Sequence, residues 1–255
     1  MFFLIALSSS GCRIRSRAPY WIETHGTALG SRVVGWSYGA LLLGGDRHLW
    51  GYPGPWANPW VAKEQSRSLR AITAARANVY GLFADGQVAR FNGGSWSPLP
   101  GSANWGASEL GVSEDDHLLV ISGGKLRAFA HDELRPLSCD AVPNLAAVAA
   151  THDDEAFVLD QAGALYYGGA SSCDPVQAPV PLTRIAARGA RLLALARDGS
   201  VWRRRDNVWQ QLPPAFKVRA GQGPEPMTAQ DVGVSAYSTW LVDTQGSVFI
   251  LSDES

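Results

Sequence analysis

The chain has 255 residues, 46% of them hydrophobic and 18% charged, with 27 glycines, 15 prolines and 10 tryptophans. That is enough apolar surface for one sizeable core, together with the turn content of a β-rich protein. A formal net charge of −1 supplies no concentrated basic field, which argues against a nucleic-acid or anionic-membrane surface.

The chain opens on an apolar run, Phe2, Phe3, Leu4, Ile5, Ala6 and Leu7, followed by Ser8, Ser9, Ser10, Gly11 and Cys12. Small residues ahead of a cysteine resemble the end of a bacterial lipoprotein signal. The resemblance implies export and a lipid on Cys12, with residues 1–17 as signal and linker and residues 18–255 as the folded domain. The run departs from such signals in having no Lys or Arg before it and in carrying Ser9 where a larger aliphatic residue is usual. The competing reading is an irregular N-terminus. With Cys12 so assigned, Cys139 and Cys173 remain, either as a disulfide in an oxidising compartment or as two buried thiols. Neither has a companion motif for catalysis or metal binding.

Beyond this segment the chain repeats. Turn positions fall at Arg47, Gly86, Gly124, Gly163, Gly199 and Gly246, spaced by 39, 38, 39, 36 and 47 residues. Counting from each without gaps, position +2 holds Leu49, Val88, Leu126, Leu165, Val201 and Val248. Position −4 holds Leu43, Leu82, Val120, Leu159, Leu195 and Val242, and position −6 holds Leu41, Tyr80, Leu118, Phe157, Leu193 and Trp240. Position −14 holds Val33, Ile72, Leu110, Ala149, Ile185 and Val232. All four columns are apolar throughout. Offsets of −6, −4 and +2 are even, so these side chains leave one face of a pleated hairpin.

Asp85-Gly86 and Asp198-Gly199 supply the hairpin turns, where glycine reaches positive φ without a steric cost. Trp96 and Trp209, ten residues after the turn, mark a further strand. Each copy therefore reads as four short strands that cannot bury both faces alone, which suits radial stacking into a six-bladed β-propeller. Small residues at Gly35, Thr73-Ala74, Gly111, Ala149-Ala150, Ala186-Ala187 and Gly233 suit an innermost strand at a crowded axis. The sixth copy stops at Phe249-Ile250-Leu251 without its last strand, and Tyr20-Trp21-Ile22-Glu23-Thr24 reads as its replacement from the opposite end of the chain.

The stretch from Leu69 to Pro100, with Val79-Tyr-Gly81, Asp85-Gly86 and Trp96, resembles a tectonin repeat. The stretch from Leu182 to Trp202, with Ile185-Ala-Ala187 and Asp198-Gly-Ser-Val-Trp202, is similar to repeats of the regulator of chromosome condensation family. Both resemblances imply a propeller scaffold; the first admits sugar-binding lectins, and both admit protein-interaction modules. The Trp-Gly-x-Asn and Gly-Gln-Leu-Gly elements of the second family are missing, so nucleotide exchange does not carry over.

Loops between the first and second strands should share one face of the disc. In order they offer Tyr38, then Arg76 and Asn78, then Glu114, Asp115, Asp116 and His117, then His152, Asp153, Asp154 and Glu155, then Arg188 and Arg191, then Tyr237. Six carboxylates on neighbouring loops suit a basic partner or a hard cation, against the reading of solvated polar turns. Trp56 and Trp60 in a proline-stiffened loop, and Trp105, are the aromatic residues that the repeat least explains, and so the candidates for a glycan platform. The insertion from Pro213 to Gln230 lies on the opposite face. No catalytic motif, phosphate-binding glycine loop or metal-spaced Cys/His cluster is present. The expectation is a binding module without a cofactor or a metal, at the bacterial cell envelope. Its partner is a protein or, alternatively, a glycan; an enzyme using carboxylates at the axis is the least supported reading, since no acid/base pair can be identified.

Overall fold

The computed structural model describes residues 20–24, 30–36, 39–44, 48–52, 61–65, 69–75, 78–92, 95–217, 225–236 and 238–252. Six four-stranded antiparallel sheets form the blades. From the innermost strand outward, blade one runs Gly30–Trp36, Gly39–Gly44, His48–Tyr52, Val61–Gln65, and blade two Leu69–Ala74, Val79–Phe83, Val88–Phe91, Trp96–Pro98. Blade three is Ala107–Val112, Leu118–Ser122, Lys125–Ala130, Glu133–Pro136, and blade four Leu145–Ala150, Ala156–Asp160, Leu165–Gly168, Cys173–Val176. Blade five is Leu182–Arg188, Arg191–Ala196, Val201–Arg205, Val208–Gln211. Blade six takes Ala229–Val234, Thr239–Asp243 and Val248–Ser252 from the end of the chain, and Tyr20–Glu23 pairs antiparallel with the last of these as its outermost strand. The ring is thus closed by the N-terminal strand. Cys139 and Cys173 form a disulfide with an S–S distance of 2.08 Å.

Blade faces pack on one another in six apolar clusters. Leu41, Leu43 and Leu49 meet Ile72 and Val79 of blade two, and Tyr80, Leu82 and Val88 meet Leu110 and Leu118 of blade three. Around the ring the same columns end with Trp240, Val242 and Val248 against Leu42 and Ala40 of blade one. The columns read without gaps slip in two copies. In blade three Ile121, not Val120, faces blade four, because the Gly123-Gly124 turn puts only four residues between the paired Ile121 and Leu126 where Leu82 and Val88 have five. In blade four Val148, not Ala149, takes the position of Leu110, each pairing a valine ten residues on. The slips are invisible by hydrophobicity, since residues on both sides are apolar, although a shift of one flips a strand's faces.

Every first strand carries a register irregularity two residues after it begins, ahead of Arg32, Ala71, Glu109, Ala147, Arg184 and Asp231. A bulge leaves a ladder carbonyl short of a partner. In three blades the bulged residue's own hydroxyl supplies it: Ser31 donates to Leu43 O, Ser108 to Ile121 O and Thr183 to Leu195 O. At the axis the first strands of blades one and six approach so closely that a Cβ on Gly35 would stand 1.8 Å from Val234 O. Only glycine fits there.

Candidate functional site

The loops of blades three and four, between their first and second strands, span 113–117 and 151–155 and are each one residue longer than the 75–78 and 235–238 loops. That extra length lets them meet. His117 Nδ1 lies 3.3 Å from Asp154 Oδ1 and His117 Nε2 3.8 Å from Asp153 Oδ1, while His152 Nδ1 lies 3.7 Å from Asp115 Oδ2. Each loop's histidine therefore faces the other loop's carboxylates. Arg135 Nη2 stands 3.6 Å from Asp154 Oδ2. Arg188 Nε of blade five is 2.8 Å from Glu114 Oε1 but off the N–H direction, an ion pair and not a hydrogen bond.

The remaining acids anchor the loops inward. Asp116 adopts φ 69° and accepts from Asn78 Nδ2 and, at 3.3 Å, from the Tyr80 hydroxyl. Burial, with Asp116 beside it, pushes the Tyr80 phenol up to about 12, so it remains a neutral donor. Glu155 accepts from the Tyr167 hydroxyl at 2.5 Å. These hydrogen bonds orient the two loops. Asp115 and Asp153 project furthest, with side chains 55% and 77% exposed.

Inside the ring of first strands lies a central cavity of about 90 Å³. Its end beside the bulges holds charged side chains that the sequence reading passed over. Arg32 reaches across from blade one to Glu109 of blade three in a bidentate pair of 2.8 and 2.9 Å. Asp231 of blade six accepts from Val33 N–H at 2.8 Å. Burial pushes the Asp231 carboxyl up to about 6 against the pull of Arg32, the Val33 N–H and Arg184. One signal would have found them: fifteen residues before the turn position stand Arg32, Ala71, Glu109, Val148, Arg184 and Asp231, charged in four copies, next to an apolar column. Among the described residues no group of three His, Cys, Asp or Glu is placed to hold a metal ion.

Trp105 is half-buried and packs on Phe129, ring centroids 5.0 Å apart, at the interface of blades two and three. The outer-strand tryptophans serve the fold: Trp209 and Trp21 each donate the indole N–H at 2.9 Å to a carbonyl after the preceding blade, Gln177 O and Pro213 O. Tyr38, Arg76, Tyr237, Trp56, Trp60 and Cys12 lie outside the described residues.

No family profile and no curated protein matches this sequence. Solved structures do match in fold. PorZ, an essential surface component of the type-IX secretion system of Porphyromonas gingivalis, aligns over 92% of this chain with TM-score 0.55 and 14% identity; the chain spans 38% of PorZ's length. Virginiamycin B lyase from Staphylococcus aureus aligns over 92% of this chain and 100% of its own, with TM-score 0.60 and 8% identity. Prp20p from Saccharomyces cerevisiae, a yeast RCC1 characterised for binding Gsp1p and histones, aligns over 86% of this chain and 70% of its own, with TM-score 0.55 and 12% identity. Identities this low establish the propeller fold and leave function to the site.

Proposed function

We propose that this propeller is a non-enzymatic protein-interaction module of the bacterial cell envelope, receiving a basic segment of its partner on the acidic loops of blades three and four. The observation that carries the reading is the crossed pairing of His117 with Asp153 and Asp154 and of His152 with Asp115. It holds two loops as one surface at the axial mouth while leaving Asp115 and Asp153 directed outward. A pre-oriented charged surface loses little entropy on binding and selects its partner by complementary charge. Catalysis at the axis is disfavoured because Glu109 is engaged by both Arg32 nitrogens and Asp231 by Val33 N–H. The surface location of PorZ, the binding of Gsp1p and histones by the RCC1 propeller Prp20p and a Cys139–Cys173 disulfide suited to an oxidising compartment support the same reading, and the lipoprotein-like run ending at Cys12 extends it to a lipid anchor as part of the proposal. A glycan platform at Trp56 and Trp60 rests on sequence alone.

The test is capture from an envelope extract with residues 18–255 as bait, beside Asp115→Asn combined with Asp153→Asn. This pair removes the outward charges and leaves the anchors of Asp116 and Asp154 in place. Proteins retained by the wild type, lost from the double variant and released by salt are the expected result. Identical capture by both baits would remove the acidic face from consideration and turn attention to sugars.

A further inference from the structure

The third strand of blade five ends Arg203-Arg204-Arg205. Strand alternation sends Arg204 toward blade four, where its guanidinium carbon lies 5.4 Å from the centroid of the Phe157 ring. Arg203 and Arg205 therefore turn the other way, toward blade six, on the side of Val201, which packs there with Leu193. Arg191 opens the neighbouring strand on that same side, in alternation with Leu193. Arg191, Arg203 and Arg205 thus line one cavity of about 40 Å³ at the seam of blades five and six, completed by Leu192, Leu193, Val234 and Thr239. None of these described lining residues is acidic. The volume has room for about three waters, close to the size of a carboxylate or phosphate group.

Comparison with blade four makes the arrangement specific. The positions equivalent to Arg191 and Arg203 hold Glu155 and Tyr167, which hydrogen-bond to each other at 2.5 Å. Blade five replaces that pair with two cations. Arg191 donates to the carbonyls of Ser235 and Ala236 at 2.6 and 2.5 Å, and Arg203 donates to Gln210 Oε1 at 3.0 Å; these contacts orient the guanidinia. An oxyanion seated among them, beside the buried Leu193, makes hydrogen bonds strengthened by charge.

We propose that the seam between blades five and six is a binding site for a small oxyanion, a carboxylate or phosphate group, held by Arg191, Arg203 and Arg205 with the Thr239 hydroxyl at its edge. The site lies at the same end of the strands as the acidic loops and is independent of them, since it is defined by a small ion and not by the partner of the acidic face.

Calorimetric titration of the full chain with sodium phosphate and, separately, sodium acetate in low-chloride buffer tests it. The variants are Arg203→Gln with Arg205→Gln, Arg205→Gln alone, and Arg197→Gln as a control for surface charge at the opposite end of blade five. Saturable binding of one ion is expected, weakened about tenfold or more in the double variant, weakened in the same direction by Arg205→Gln, whose side chain is exposed and leaves the packing intact, and unchanged in Arg197→Gln. Tighter phosphate assigns a phosphoryl ligand, and tighter acetate assigns an acidic side chain or a chain terminus. Absence of saturable binding for both ions, or equal weakening by Arg197→Gln, overturns the proposal.

Discussion

Asp231 sits where the first strands of blades six and one meet, accepting from Val33 N–H at 2.8 Å. Burial raises its carboxyl from the model-compound value of 3.8 to about 6, so the folded state holds this proton more tightly than the unfolded chain. The stability this group contributes is fully present below pH 3.8 and is lost as the pH rises through about 6. Asp231→Asn keeps an oxygen to accept from Val33 N–H and removes the buried charge. It should therefore exceed the wild type in stability at pH 7 by on the order of 2 kcal/mol, with the margin closing toward pH 4. Urea unfolding of both proteins from pH 4 to pH 7 checks this; a margin that does not move with pH would mean that Asp231 does not titrate in this window. The residue was present in the sequence as one charge beside the apolar Val232. Its burial was not legible locally, because the bulge before it turns the side chain toward the axis and nothing in Ala229-Gln230-Asp231 announces a bulge; only the recurrence of charge in that column of the repeat points to it.

Strands and hairpins were far more legible than charges. Alternating apolar residues and Asp-Gly turns define a hairpin through local rules, and the turn glycines adopt the expected positive φ, 86° at Gly86 and 84° at Gly199. The outermost strand of blade six shows how an element gains its place. Trp21 is buried among Leu212, Ala215 and Leu251 and donates to Pro213 O. Trp21→Ala should cost about 3–5 kcal/mol and Trp21→Phe, which keeps most of the packing, about 1 kcal/mol, both read from chemical denaturation. Wild-type stability in both variants would show that this strand does not belong to the cooperative core. Register was legible only in part: the shortened turn at Gly123-Gly124 offsets the lengthened 113–117 loop, so copy three keeps its overall spacing while its second strand slips by one. The length of the acidic loops, which is what brings His117 and His152 to the opposing carboxylates, was hidden by this offset in blade three and by the one-residue shift of the first strand, to Val148, in blade four.

At the scale of the whole molecule, each blade has its apolar columns on both faces and is completed only by its neighbours. Closure through Tyr20–Glu23 makes the six interfaces one circuit. Leu82 and Leu195, both buried, lie in different interfaces well apart around the ring. Leu82→Ala and Leu195→Ala should each cost about 2–5 kcal/mol, add in the double variant, and lower a single unfolding transition followed by both tryptophan fluorescence and circular dichroism. Two separated transitions would instead show that the blades unfold as independent segments. By itself the sequence determined the repeat, the four strands of each copy and the exchange of the last strand, because these follow from alternation and turn chemistry within short stretches. Only the tertiary structure decided which charges meet. Arg32 finds Glu109 across 77 positions and Val33 finds Asp231 across 198, and the three arginines of the blade five seam converge against blade six. Those meetings depend on bulges, on loop lengths and on the angle at which one blade stacks on the next, quantities set by closing the ring.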